Sequence, residues 1–516
     1  MANNLLIVES PAKAKTINRY LGKDFEVLAS YGHVRDLPSK DGAVDIDNNF
    51  SMHYELSEGS KKHVDKIVKA ARKADAVYLA TDLDREGEAI SWHIYEILKD
   101  KKLAGKIPFY RVEFSEITKH AILDAVANPR ELSMDLVNAQ QARRALDHLV
   151  GFTLSPLLWK KIKPGLSAGR VQSPALRMIV EREREIEAFK AQEYWTIEAD
   201  LQKTGHAFTA NLVRLEGERF KQFDIQDESR ATAVRDQLLA HADGQLKADR
   251  IKRRERKRRP AAPFITSTLQ QDASRKLRFS AQKTMRTAQT LYEGIEINGN
   301  TEGLITYMRT DSVMLSNDAL ADIRAQIKQQ FGNDYLPEKP NFYKTKSKNA
   351  QEAHEAIRPT SASLVPGKIK ASLTDDQYRL YELIWKRTLA SQMTPAKMDT
   401  VAVEFDCGSG ASFRANGSVI TFPGFLAAYE ASKPESDQKK DKSLPDMKEG
   451  DVLKLDGIRS EQQFTEPPPR YSEASLVKAM EEFGIGRPST YASIMSTLVR
   501  RFYVELDQRR FKPTDT

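Results

Sequence analysis

"AVYLATDLDREGEA", Ala76 to Ala89, runs from five apolar or aromatic positions straight into four acids within seven residues: Asp82, Asp84, Glu86 and Glu88. The apolar part reads as a short buried strand, and the residues after it carry Ile90, Ile94, Ile97 and Leu98 at helical spacing. Like charges this close raise one another's pKa and repel, so the cluster requires compensation by a helix N-terminus, a salt-bridge network or a divalent cation. A second unit of the same kind opens the chain. Leu5 to Val8 is apolar, Glu9 follows, and Ser10-Pro11 supplies the N-cap and first-turn residue of a helix through Leu21. Two strand-acid-helix units predict a parallel α/β sheet whose strand C-termini meet at one crevice, with Glu9 and the Asp82 cluster both lying there.

The spacing D-x-D-x-E turns the carboxylates of Asp82, Asp84 and Glu86 to one side of an extended or turning backbone. That donor set suits Mg²⁺, which takes oxygen ligands and shares them with waters and substrate phosphates. A helix cap alone accounts for one or two of the acids.

The 516 residues suffice for three or four domains. The N-terminus lacks the pattern of a signal peptide, and no apolar run is long enough to cross a bilayer, so a cytoplasmic protein is expected. The single Cys407 excludes an internal disulfide and a zinc site built on several cysteines. With 80 basic and 72 acidic residues the net charge is +8, yet "RIKRRERKRR" (Arg250 to Arg259) alone contributes +7. This run reads either as a solvated face or as an anion-binding track.

From Tyr194 the pattern becomes two-residue alternation, and it returns at Val401, Val403 and Phe405. The two β-rich pieces are expected to form one domain interrupted by a helical insertion. Phe264 to Gly294 and Arg470 to Arg501 each read helix, turn, helix, with Ser280 and Ser489 near the second helix starts, and strand-like residues follow both. Winged modules or plain helical hairpins fit this pattern. Ala431 to Asp451, of mixed charge, reads as a mobile loop.

In "LITYMRTDS", Tyr307 and Arg309 are two apart in a strand-like run, so their side chains are expected on one face. The guanidinium would favour the phenolate and could hold a phosphate by a bidentate fork, but taken alone the pair reads first as ordinary strand packing. "HEAIR" (His354 to Arg358) lacks the second His of a zinc protease, and no G-x-x-x-x-G-K-[ST] phosphate loop occurs.

Together, "LLIVESPAKAKTI" from Leu5, "YGHVRDLP" from Tyr31, "TDLDREGEAI" from Thr81, "QQARRALDHLVG" from Gln140, "LSAGRVQSPALRMI" from Leu166, "GLITYMRTDS" from Gly303, "EAHEAIRPT" from Glu352 and "FGIGRPSTYA" from Phe483 resemble the bacterial type IA DNA topoisomerases, in family order over essentially the whole chain. The resemblance implies a multidomain α/β plus α+β toroid. Its parts would be a Toprim domain (1–132), a winged-helix-like domain (133–190 with 465–516), a β-rich arch (191–261 with 395–464) and a second winged-helix-like domain (262–394) carrying the nucleophile. It also implies roles. Tyr307 would form a 5′-phosphotyrosyl link to single-stranded DNA, and Arg309 and Lys13 would stabilise the phosphate. Glu9 would be the general acid and base, and Glu9, Asp82, Asp84 and Glu86 would serve Mg²⁺. His354 would lie near the scissile strand, and Arg143, Asp147, Arg170, Gln172 and His33 would contact DNA. The implied protein is a monomeric, cytoplasmic, nucleoid-associated enzyme that relaxes negatively supercoiled DNA without ATP or membrane. A Toprim nuclease or primase, or a non-catalytic DNA-binding protein, are the alternatives. Two departures stand out: Leu83 replaces an expected Pro, and the family continues past "FKPTDT". The chain is therefore expected to end inside its last domain, keeping cleavage and religation but losing processive relaxation.

Overall fold

The structure, a computed structural model, describes residues 4–344, 354–430 and 443–516. Its N-terminal part is a four-stranded parallel sheet in the order Phe25–Ala29, Asn4–Val8, Ala76–Leu79, Phe109–Arg111. Strands buried on both faces must be apolar throughout, as "LLIV" is. Alternation sends Leu5 and Ile7 into one core with Ile90, Ile94, Ile97 and Leu98. Leu6 and Val8 enter another, shared with Ile117, Phe264, Leu304 and Tyr307 itself. Residues far along the chain are thereby packed beneath the strand that ends at Glu9.

The two β-rich pieces do join. Glu193–Lys203, His206–Leu215, Ala411–Phe422, Ala396–Gly408, Gln245–Arg258 and Val452–Phe464 pair in turn, and the last pairs back to the first. This closed ring leaves few free edges and surrounds Leu201, Phe405 and Phe413, plugged by helix Glu228–Ala242. Of the stretch expected to be a mobile loop, residues 431–442 lie outside the described residues. The remainder is anchored: Met447 is buried in the ring's core, and Ala248 N–H donates to the Asp451 carbonyl at 2.8 Å.

Both helix-turn-helix segments carry a wing. Thr266–Asp272 and Ala281–Glu293 are followed by the hairpin Ile295–Ile297/Asn300–Glu302, and Glu473–Glu482 and Tyr491–Arg500 by Val504–Asp507/Arg510–Pro513. Ser280 caps its helix as expected, but the last helix starts at Tyr491 and Ser489 caps nothing. Tyr307 is not in a strand. Its segment is extended but irregular, wedged between two others: Tyr307 N–H donates to the Ser115 carbonyl at 2.8 Å, and Thr306 N–H to that of Arg358 at 2.9 Å. A Cβ on Gly303, where this segment begins, would sit 2.6 Å from the Tyr292 carbonyl, so only glycine permits the approach.

Candidate active site

Ser10 caps helix Pro11–Leu21, which places Lys13 in its first turn, pointing back over the strand ends. Lys13 has no exposed surface. Its Nζ donates to Glu9 Oε1 and, at 2.5 Å, to Asp82 Oδ1, so the ammonium bridges the acids that end two adjacent strands. Burial opposes that charge, but Asp82 and then Glu9 outweigh it and hold the lysine well above its usual range. The two acids part company. Burial and the neighbouring Asp82 raise Glu9 to about 8, whereas Asp82, equally buried, is pulled low by Lys13. Glu9 Oε2 is buried with no hydrogen-bond partner among the described residues.

The four acids of Asp82 to Glu88 are compensated one by one. Asp84 is the N-cap of helix Arg85–Asp100 and accepts from Gly87 N–H at 2.9 Å. Glu86 faces His33 Nε2 at 3.4 Å and accepts from Gln140 Nε2 at 3.1 Å; despite burial, His33 keeps it low. Glu88, fully buried, accepts from Arg111 Nε at 2.8 Å and Arg130 Nη2 at 2.7 Å, and is structural. A Cβ on Gly87 would fall 2.0 Å from the Asp82 carbonyl oxygen, so this glycine lets the helix start directly over the acidic turn.

Tyr307 meets this turn with its phenol, which donates to Asp84 Oδ2 at 2.7 Å; Arg309 Nη1 lies 3.8 Å from the same oxygen. The two side chains do share a face. The expected effect on the phenol is reversed, however: burial, then Asp82 and Asp84, push Tyr307 well above its usual pKa, and Arg309 only partly offsets them. Tyr307 therefore rests as a protonated, 3 % exposed phenol. Its ring packs edge-on against Tyr292 at 5.4 Å.

Asp84, Glu86, Arg143, Arg309 and His354 line one small cavity, and Glu9, His33, Asp82, Asp84, Glu86 and Arg309 line an adjoining cleft of about 720 Å³. Burial lowers the His354 pKa, with Asp84 and Asp311 opposing. Three residues expected to contact DNA, Asp147, Arg170 and Gln172, also make bonds within the protein. Arg170 Nε donates to Asp147 Oδ1 at 2.9 Å, and Gln172 Nε2 donates to the Ser167 carbonyl at 2.7 Å, bracing its own loop. None of the three lines either cavity. Sequence reasoning passes over Arg487 of "FGIGRPSTYA", takes Ser489 only for a helix start although both line the first cavity, and misses Arg85, whose charge acts on Arg143. Lying beside repeated apolar patterns, they give no chemical signal of their own.

Among the described residues no three acid, His or Cys side chains converge as a ready-made metal cage. The donor chemistry nonetheless fits Mg²⁺, since every candidate is a carboxylate oxygen and Glu9 Oε2 is unpartnered. One or two protein carboxylates with phosphate and water is the usual arrangement for this ion.

A parallel sheet whose strands end in acids, facing a tyrosine carried beside a winged module, is the arrangement of a Toprim protein joined to helix-turn-helix modules. The Toprim family model matches residues 4–117, and that described as DNA topoisomerase matches 131–516. The chain is 58 % identical to DNA topoisomerase 1 of Xylella fastidiosa, over all of this chain and 64 % of that protein. It is 56 % identical to the Rickettsia felis protein of that name, over 99 % and 66 %. The structure of full-length topoisomerase I from Thermotoga maritima superposes with a TM-score of 0.85 at 39 % identity, covering 99 % of this chain and 80 % of that one. The chain belongs to the bacterial DNA topoisomerase I family. It spans about two-thirds or less of the length of these curated relatives.

Proposed function

We propose that this chain breaks and rejoins one strand of DNA by transesterification at Tyr307. The observation that carries this reading is the 2.7 Å hydrogen bond from the Tyr307 phenol to Asp84, inside a cleft that also holds Glu9 and Arg309. As the phenolic oxygen attacks a backbone phosphorus, its proton passes to Asp84 and the bond from phosphorus to the 3′-oxygen breaks. Glu9, protonated at neutral pH when held near 8, gives its proton to the departing 3′-oxygen. Lys13 and Arg309 carry positive charge toward the non-bridging oxygens. The product is a 5′-phosphotyrosyl link beside a free 3′-hydroxyl, and the reverse path rejoins the strand. One phosphodiester replaces another, so no ATP is required and supercoil strain drives net relaxation.

Asp82, Asp84, Glu86 and, once its proton has left, the free oxygen of Glu9 are the groups that would hold Mg²⁺, which neutralises phosphate charge when bound. Arg143, Arg487, His33 and His354 guide the strand, and Arg170 with Asp147 and Gln172 fixes the neighbouring loop. The four-domain division, with the ring of strands as the arch of a toroid, negatively supercoiled DNA as substrate, a monomeric state and a place in the bacterial cytoplasm at the nucleoid complete the reading. Among the described residues no helix is long and apolar enough to cross a membrane.

The test uses single-stranded DNA labelled at its 3′ end, mixed with the protein and quenched with denaturant. Label migrating with the protein, and lost in Tyr307→Phe, is the expected result. Free labelled fragments without adduct would instead indicate a hydrolytic Toprim enzyme, and intact DNA would overturn cleavage by this chain.

A further inference from the structure

Away from the Tyr307 site, a cleft of about 370 Å³ opens between the two winged modules. Arg275 and Arg278 enter it from the turn between helices Thr266–Asp272 and Ala281–Glu293, and Arg509 and Arg510 from the hairpin after Tyr491–Arg500. Among the described residues, the guanidinium groups of Arg275, Arg278 and Arg509 have no hydrogen bond or ion pair. Arg510 donates at 2.8 Å to the Arg470 carbonyl, a neutral group. The one acid lining the cleft, Glu473, already accepts from Ala281 N–H at 2.6 Å, a bond that ties one module to the other. Glu473 also feels the charge of Arg509, but one carboxylate against four arginines leaves an excess of like charge across the module boundary, which repels unless a further anion lies between them.

The backbone adds an independent observation. Three residues lining this cleft hold left-handed conformations that favour glycine: Arg278 (φ 59°), Gln508 (φ 46°) and Arg509 (φ 65°). Gln508-Arg509 forms a two-residue hairpin loop, where Asn-Gly is the unstrained choice. Arg278 ends a π-helical turn, Ala273–Leu277, itself an uncommon conformation. Strained backbone of this kind persists where a side chain is needed at that point, and it gathers at ligand clamps. Planar guanidinium forks match the oxygens of a phosphate group.

We propose that this cleft is a phosphate-binding clamp in which Arg275 and Arg278 of one module and Arg509 and Arg510 of the other grip a single phosphate group and hold the modules together. A phosphate of a DNA backbone and a free phosphate ion present the same oxygens. The clamp shares no residue with the cavities around Tyr307 and does not depend on strand cleavage.

Arg278→Gly and Arg509→Gly test it, because glycine is at home at both positions and neither variant is expected to lose folding. The unfolding temperature of the whole chain is measured in low-millimolar inorganic phosphate against chloride of equal ionic strength. In parallel, the affinity for a fluorescent single-stranded oligonucleotide is followed with salt. In the parent, phosphate is expected to raise the unfolding temperature, and both glycine variants lose that rise without a lower baseline. If the backbone is the source, the slope of log K against log salt becomes shallower by about 0.7 for each DNA phosphate that the variant no longer neutralises. Loss of the phosphate effect alone identifies a free-phosphate site, and loss of slope alone a backbone site. Variants matching the parent in both readings, or a phosphate effect that persists in both variants with an unchanged slope, overturn the clamp.

Discussion

Tyr307 and Asp84, 223 residues apart in the chain, share a hydrogen bond of 2.7 Å in which the phenol is the donor. The same carboxylate caps helix Arg85–Asp100 through Gly87 N–H, so one side chain both starts the helix and holds the Tyr307 phenol. Asn caps a helix as well as Asp does but cannot take a proton. Asp84→Asn is therefore expected to leave the unfolding free energy within about 0.5 kcal/mol of the parent. Adduct formation should slow by about 100-fold, the lower end for loss of a proton acceptor. An adduct rate equal to the parent's in a quenched-flow assay would remove Asp84 from the chemistry.

Lys13 bridges Glu9 and Asp82 with no exposed surface. Removing one partner of a buried ion cluster strands the others, and Lys13→Met should cost about 3–5 kcal/mol in a denaturant titration at pH 7. The sign of its pH dependence follows. Without the ammonium both carboxylates have folded-state pKa values above their unfolded ones, so protonation stabilises the variant. The difference from the parent is expected to shrink steadily as pH falls from 7 toward 5, and a constant difference would show that the bridge carries no net charge energy.

The parallel sheet is legible in the sequence because its signals are local: "LLIV" and "AVYL" are continuous apolar runs, and Ser10-Pro11 announces its helix. The Lys13 bridge is not, because it depends on Asn4–Val8 and Ala76–Leu79 being neighbours in the sheet. Tyr307 reads as a strand residue because its segment is extended and apolar. The actual hydrogen-bond partners, Ser115 for Tyr307 and Arg358 for the adjoining Thr306, lie far away in the chain, and only tertiary packing brings them to either side. Glu88 resembles its three acidic neighbours until Arg111 and Arg130 close on it from the next strand and beyond. Ser489 looks like a cap by its position before "TYASI", but the helix begins two residues later.

His93 is buried between Tyr54 and Trp92, ring centroids 4.6 and 4.7 Å away, and its Nδ1 accepts from Arg35 Nε at 3.2 Å. Burial, then Arg35, lowers it to about 3. Unfolded, it titrates near 6.5. The unfolded chain therefore binds the extra proton first, and the stability conferred by the neutral imidazole, intact above pH 6.5, is lost as pH falls toward 3. By pH 4 the loss is of order 3 kcal/mol. His93→Gln retains an acceptor for Arg35 and does not titrate, so its unfolding midpoint is expected to fall less steeply between pH 6.5 and 4. Parallel curves for the two proteins would contradict this.

The basic run lies on strand Gln245–Arg258, where Arg250, Lys252, Arg254 and Arg256 line one trough of about 620 Å³ over the small residues Thr400, Ala402, Gly417 and Ser418. None of the four has an ion pair among the described residues, and Glu404, the acid lining the trough, is bound to Arg414. Two residues of strand advance about 6.7 Å, close to twice the ~3.4 Å axial rise per phosphate of one DNA strand. A rigid row of unpaired cations at that repeat matches a nucleic-acid backbone better than a solvated face, on which opposite charges would be interspersed. Replacing all four by Gln should therefore lower the slope of log K against log salt for single-stranded DNA by up to about 3, at roughly 0.7 per phosphate neutralised. Adduct formation at saturating DNA should stay within about twofold of the parent, because the trough shares no residue with the Tyr307 cleft. An unchanged slope would make the run a structural strap joining the ring of strands to the module that follows.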